Sequence, residues 1–369
     1  MVGIPNFYLS QLTTNYDFGP SHPLRPERLR RAMRLLQAIH PTEVIEPAPA
    51  SESDLQRVHS AEYVEAVKEI SAAFERGEEN SPRIGDLIGK HSLYGDTPAF
   101  RGIWETSAAY CGASLEAVYA VRDGAPLAFA IGGGLHHAHR NSASGFCVFD
   151  DPALAVSVLR ERFDRVVYID IDVHHGDGVQ GIFLNDPNVL TYSIHESGKS
   201  LWPGTGYVEE TGTAGTSTNM PVLARTSGPA WLDAFERTAL PTMERFQPQA
   251  LVLQMGTDPH FLDPLAHVNC DQTSWLSAVR HCRDLGIPTV AVGGGGYSLH
   301  TVPRMWVSAI LTLSRVDFED AFPADLAAEW GVQTFSDAPE TIPHGLGIEA
   351  NEPIIRQYLE DVLPGVPAA

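Results

Sequence analysis

The chain has 369 residues, 43% hydrophobic and 19% charged, which is material for one large α/β domain or two ordinary ones with an ample core. Its 25 basic and 46 acidic side chains leave a net charge of −21, which disfavours direct binding of nucleic-acid phosphates and favours cationic substrates or plain solubility. The chain has no apolar run of the roughly 18 residues that a membrane span needs, and the opening MVGIPNFYLSQLTTNYDFG lacks the basic region and apolar core of a signal peptide. With four cysteines (Cys111, Cys147, Cys270, Cys282) outside any CxxC spacing, the expectation is a cytoplasmic protein with reduced, packed thiols and no membrane partner.

In chain order, PERLRRAMRLLQAI (26–39) reads as a helix, and the polar, Gly-rich 76–97 as a surface loop. ETSAAYCGASLEAVYAV (105–121) is helical. PLAFAIG (126–132) is the first buried strand, followed by a helix in PALAVSVLRERF (152–163) and a second strand in RVVYID (165–170). NVLTYSIH (188–195) is the third strand, PAWLDAFERTALPTMERF (229–246) a helix, ALVLQMG (250–256) the fourth strand and PTVAVGG (288–294) the fifth. VPRMWVSAILTLS (302–314) is the last helix, and 316–369 carries no motif. The strand runs are continuously apolar, as in a sheet covered on both faces, and strands alternate with helices. The predicted fold is therefore a mostly parallel, doubly wound α/β sheet with helices on both faces, and a single domain over 1–369 is the simplest organisation.

The polar clusters fall at one end of this sheet. GGGLHHAH follows the first strand, DIDVHHGDG the second, SIHESG the third, GTDPHFLD the fourth and GGGGY the fifth. Open α/β sheets gather their ligands outside the carboxyl ends of the strands, so these groups converge on one site. GDGVQG (176–181) matches the GxGxxG dinucleotide pattern, with Glu196 in the place of the ribose-binding acid. Asp170, Asp172 and Asp177 surround that turn, however, and would repel a pyrophosphate, which argues against a nicotinamide enzyme.

Asp172 and His174, two apart in an extended segment, leave the chain on one face. With Asp258 beyond the fourth strand they form a two-carboxylate, one-imidazole set of the open type that suits catalytic Zn²⁺, with Fe²⁺, Mn²⁺ and Co²⁺ as acceptable substitutes. His136 and His137 suit acid–base work, and Asp170 and Asp177 are spare carboxylates able to fix their tautomers and drive the two pKa values apart. Tyr297, after four glycines, can donate to an oxyanion.

HPLRPER (22–28), GGLHHAHRNSASGFC (133–147), YIDIDVHHGDGVQ (168–180), WPGTG (202–206), LVLQMGTD (251–258) with DPL (263–265), and GGGGY (293–297) resemble the histone deacetylase family, of the arginase–deacetylase fold. YDFGPSHPLRPERL and GTDPHFLDPLAH are most similar to its bacterial acetoin utilization branch, and the resemblance covers about 8–315, leaving 316–369 as an extension of unread role. It implies zinc-dependent hydrolysis of an N-acetyl amide, with Asp172, His174 and Asp258 as ligands, and His136 and His137 supported by Asp170 and Asp177. His137 would have the main acid–base role and Tyr297 that of oxyanion donor. It further implies a tunnel walled by Gly145, Phe146, Trp202 and Leu265, a rim acid in Asp96, and Arg28 below the metal on the path of acetate release. A structural K⁺ or Na⁺ near Asp170, Asp172, His174, Ser193 and Ile194 is implied as well. Trp202 stands where eukaryotic relatives often carry phenylalanine, and Pro259, His260 and Phe261 replace the residues usual after Asp258.

The expected substrate is acetyl-lysine in a protein, with an acetylpolyamine or other small cationic acetyl amine as the alternative. An arginase-like ureohydrolase would need an acid where Gly176 stands and another where His260 stands, so a second metal lacks ligands. A non-catalytic acetyl-lysine binding module should have lost a ligand, a histidine or the tyrosine, and none is missing.

Overall fold

Alternate side chains of each strand divide between two apolar cores. Phe129, Val167, Ile169, Leu190, Tyr192, Leu251, Leu253 and Ala291 face one of them, while Ala128, Val166, Tyr168, Val189, Ala250, Val252, Val290 and Val292 face the other. That division is why the strand sequences read as unbroken apolar runs. The computed structural model describes residues 3–368 and holds a six-stranded sheet in the order β1-β6-β5-β2-β3-β4. Its strands are β1 (Leu127–Ala130), β2 (Val166–Asp170), β3 (Val189–Glu196), β4 (Ser217–Val222), β5 (Ala250–Gln254) and β6 (Thr289–Val292). Every neighbouring pair is parallel.

Helices flank the sheet. Before β1 come α1 (Glu27–Ile39), α2 (Glu52–Leu55), α3 (Ala61–Arg76), α4 (Pro82–Lys90) and α5 (Ile103–Arg122). Between strands lie α6 (Asp151–Leu159), α7 (Asp177–Phe183), α8 (Gly228–Phe246) and α9 (Gln272–Asp284). After the sheet follow α10 (Val302–Leu313), α11 (Ala324–Trp330) and α12 (Ile348–Gln357). The buried stripe of α1, made of Arg28, Leu29, Ala32, Leu35 and Leu36, recurs at helical spacing and places one arginine among apolar residues. All four cysteines are buried free thiols.

Two segments differ from the sequence expectation. The predicted surface loop 76–97 contains α4, because Pro82 occupies the first turn after Ser81 and Ile84, Leu87 and Ile88 recur on one face, where Ile84 is buried and the other two pack against the same core. The sixth strand, β4, is written STNMPV, whose hydroxyl, amide and proline residues hide it. It pairs on one side only, with β3, and α12 packs against it. The segment 316–369 contributes Phe322, Trp330, Phe335, Ile355, Tyr358, Val362 and Val366 to the larger core. Among the described residues no helix is long and apolar enough to cross a membrane.

Phe129 is fully buried, and its ring lies 6.0 Å from that of Phe7 at a tilt of 33°. Phe129→Ala should lower unfolding free energy by about 3–5 kcal/mol, read from urea denaturation. A loss under about 1 kcal/mol would mean that the neighbours close over the vacated space.

Candidate active site

Asp170 ends β2, and the chain leaves the sheet there with its next polar groups still buried. Asp170 Oδ1 accepts the Asp172 N–H at 3.1 Å and Asp172 Oδ1 accepts the His174 N–H at 3.0 Å, so the DIDVH run folds on its own carboxylates. Beyond β5, Asp258 Oδ1 accepts the Val173 N–H at 2.9 Å and locks the two strand ends together. His174 Nδ1 then lies 3.2 Å from Asp172 Oδ1 and 3.1 Å from Asp258 Oδ2. One ligand atom from each of the three residues falls within 4.8 Å of the others.

The donor set suits a divalent ion. Among the described residues no lysine or arginine pairs with Asp172 or Asp258, whose ion-pair contacts are with His136 and His174. Burial and the neighbouring Asp172 carboxylate push Asp258 up to about 7. Burial works the same way on Asp172, but the His136 and His174 imidazoles outweigh it and hold that carboxyl well below its usual range. Two buried carboxylates this close are costly unless positive charge lies between them, and a cation bound by both offsets that cost.

The two histidines of GGGLHH face this cluster, and each has its own carboxylate. His136 Nδ1 lies 2.7 Å from Asp170 Oδ2, which also accepts from the Tyr168 hydroxyl at 2.7 Å. His137 Nδ1 lies 2.7 Å from Asp177 Oδ1, and the two imidazole centroids are 4.0 Å apart. Burial opposes charge on both. In His136 the Asp170 and Asp172 carboxylates override it and raise the pKa to about 9, whereas burial and the adjacent His136 drive His137 down to about 3. The sequence expectation of two imidazoles pushed apart thus has a physical cause in unequal carboxylate surroundings.

Asp151, which the sequence reading missed, anchors this loop. Its carboxylate accepts from Gly134 N–H at 2.9 Å, Leu135 N–H at 2.9 Å and Ser114 Oγ at 2.6 Å. The GDGVQG turn has a different use from phosphate binding. A Cβ on Gly178 would stand 2.6 Å from the His136 and Ala138 carbonyl oxygens, so glycine there lets α7 pack directly under the histidine loop.

Tyr297 is buried, and its backbone N–H donates to Asp263 Oδ2 at 2.7 Å. Burial and the Asp258 and Asp172 charges raise its phenol well above the ordinary value. Before it, Gly295 N–H donates to Asp172 Oδ2 at 2.7 Å, and a Cβ on Gly295 would strike Asp258 Oδ2. Arg28, from the buried stripe of α1, donates to the carbonyls of Gly294 at 2.7 Å and Gly296 at 3.1 Å and lies over the Trp306 ring at 5.2 Å. Gln254, at the end of β5, donates to Asp172 Oδ2 at 2.8 Å. A lone amide in an otherwise apolar strand was the available signal for it.

Aromatic residues surround the approach to these groups. Trp202 meets His137 edge-on at 4.6 Å and is 43% exposed, while Phe146 meets Tyr297 edge-on at 5.7 Å. Phe146 has φ 67°, a conformation that costs about 1–3 kcal/mol outside glycine. Its neighbours over-determine it, since its carbonyl accepts from Tyr16 Oη at 2.7 Å and its N–H donates to Thr97 Oγ1 at 2.9 Å. Gly145 adjoins Trp202 and His137, leaving no room for a side chain, and Leu265 packs partly buried against the same core as Tyr297. Asp96 stands next to Thr97, whose hydroxyl donates to its carboxylate at 3.0 Å, and its backbone carbonyl lies 3.1 Å from His22 Nε2. Ser193 pairs in register with Asp170, and Ser193 Oγ lies 2.8 Å from His195 Nδ1; Ile194 is the next residue of β3.

A model of the histone deacetylase domain matches residues 22–313. The chain belongs to the histone deacetylase family. It is 36% identical over 341 residues to the acetoin utilization protein AcuC of Bacillus subtilis (strain 168), covering 89% of this chain and 86% of that protein. AcuC of Staphylococcus aureus (strain MSSA476) is 32% identical over 338 residues, covering 88% of this chain and 84% of its own length. Histone deacetylase clr6 of Schizosaccharomyces pombe is 32% identical over 326 residues, covering 86% and 78%. The chain thus lies in the acetoin utilization branch of the deacetylases, on the arginase–deacetylase fold.

Proposed function

We propose that this deacetylase hydrolyses the amide of acetyl-lysine in proteins, with Zn²⁺ held by Asp172, His174 and Asp258. The observation that carries the reading is the pairing of two imidazoles with two separate carboxylates, His136 with Asp170 and His137 with Asp177, beside a three-ligand cluster. The ion, when bound, polarises an amide carbonyl and makes a water acidic enough to attack near neutral pH.

The protein groups divide the remaining work. His137 is neutral, and its Nδ1–H is committed to Asp177, so Nε2 offers a lone pair as general base. His136, held by Asp170, is placed to supply positive charge next to the reacting carbonyl. Tyr297 keeps its proton and donates to the oxygen that gains negative charge as water adds. The C–O bond to water forms, the C–N bond breaks, and the proton taken by His137 passes to the departing amine, leaving acetate and lysine. Arg28, fixed by two glycine carbonyls beneath the site, lies on the side from which acetate leaves. Trp202, Phe146, Gly145 and Leu265 wall the channel for the lysine methylenes, and Asp96 at its mouth accepts substrate backbone N–H groups.

A protein substrate is favoured by the exterior. The net charge of −21 attracts either cationic substrate, but Tyr94 (58% exposed), Trp202 and Leu262 (53% exposed) are large apolar groups on the loops that carry Asp96, the channel wall and Asp263. A short polyamine has no apolar flank to use such contacts. Acetate release from an acetyl-lysine peptide and from an acetylated diamine, run in parallel on metal-loaded protein, should give the higher kcat/KM for the peptide. A higher value for the diamine would reassign the substrate to polyamines. Gly176 and His260 stand where a second metal would need acids, and His260 is bonded elsewhere, to Asp337 at 3.1 Å, which leaves the two-manganese ureohydrolase reading without ligands.

A further inference from the structure

We infer that Asp337, beyond the end of the family match at residue 313, is a positioning residue that ties the loop carrying Asp258 and Asp263 to the helix that follows Tyr297. The inference rests on the roles proposed above for Asp258 and Tyr297. The Asp337 side chain is 4% exposed and takes hydrogen bonds from three separate elements. Arg304 Nη2 of α10 donates to Oδ1 at 2.5 Å, the Gln272 N–H at the start of α9 donates to Oδ2 at 2.8 Å, and His260 Nε2 lies 3.1 Å from both oxygens. Arg304 is itself held a second time, donating through Nη1 to the Phe335 carbonyl at 2.8 Å.

His260 is the centre of the loop between Asp258 and Asp263. Its Nδ1 accepts the Leu262 N–H at 3.1 Å, and its ring stacks on Phe261 at 4.5 Å. The orientation of this fully buried ring therefore fixes the turn, and Asp337 fixes the ring. At the two ends of the same turn, Asp258 is fastened to Val173 N–H and Asp263 to Tyr297 N–H. On the other side, α10 donates from Trp306 Nε1 to the Met255 carbonyl at 2.9 Å and supports Arg28 with the same ring. One carboxylate from the C-terminal segment thus bridges the two chain segments whose separation sets the distance from Asp258 to Tyr297. A buried carboxylate satisfied by an arginine, an imidazole and a backbone N–H resists displacement, because moving it leaves the Arg304 charge buried and unpaired.

In the 369-residue chain, Asp337→Asn keeps the shape and replaces one acceptor oxygen by a donor. Compared with wild type on an acetyl-lysine peptide, its kcat should fall about 10-fold, the lower end of the range for groups bonded directly to metal ligands because Asp337 acts through His260, with KM unchanged. Its affinity for Zn²⁺, read by chelator competition, should weaken, and amide hydrogen exchange should speed up in peptides covering 258–265 and 293–299. A folded variant with a lowered Tm but wild-type kcat, Zn²⁺ affinity and exchange would make Asp337 a stability residue only and overturn the inference. Should Asp337→Asn fail to fold, Arg304→Lys, which keeps the charge and loses the fork, is read by the same measurements. If wild type releases acetate from no acetylated amine, the deacetylase reading fails; faster exchange at 293–299 in the variant then still upholds the bridge, and unchanged exchange there removes it.

Discussion

Tyr297→Phe should lower kcat on the order of 10²–10³-fold with little change in KM, as expected for loss of a donor that acts on the developing oxyanion. The substitution removes one oxygen and leaves the ring, its edge contact with Phe146 and the N–H bond to Asp263 in place. Geometry is therefore preserved, and the loss measures the hydroxyl. The phenol is buried close to Asp172 and Asp258, which holds its proton in place and makes it a donor throughout the neutral range. Steady-state kinetics on an acetyl-lysine peptide checks this, and an unchanged kcat would remove Tyr297 from the mechanism.

His137→Ala should cost about 10²–10⁴-fold in kcat, the range for a positioned general base. The same change at His136 removes a cation and leaves Asp170 with Tyr168 as its remaining side-chain partner, so its loss should also weaken the bound ion's surroundings. The two single variants and the double variant, measured together, separate the roles. Strongly non-additive losses are expected, because the imidazoles are in contact at 4.0 Å and act on one reacting centre. Full activity in His137→Ala with a large loss in His136→Ala would exchange the assignments of base and cation.

Much of the sheet was legible because its strands are buried on both faces and so run apolar without interruption, each ending where polar residues begin. β4 was not, since a strand of Ser, Thr, Asn and Pro is written like a loop and owes its place to β3 and α12. α4 was lost to its glycines, although Pro82 after Ser81 marks its start. The paired histidines, the Asp172–His174 spacing and Tyr297 were visible because they cluster in short motifs at strand ends. Asp151, Asp263 and Asp337 were not assigned, and the reason is common to all three. They serve backbone N–H groups or side chains far away in sequence, such as Gly134 for Asp151 and Gln272 for Asp337, and such partners exist only after folding.

Hydrolysis of an acetyl amide by one buried three-ligand ion and two imidazoles is open to a single decisive experiment. Acetate release from an acetyl-lysine peptide, measured on protein stripped by chelator and then titrated with Zn²⁺, tests it most directly. No release is expected from stripped protein, followed by a rise to a plateau at one Zn²⁺ per chain that Asp258→Ala abolishes. Release that is indifferent to metal, or no release at full metal occupancy, would contradict it.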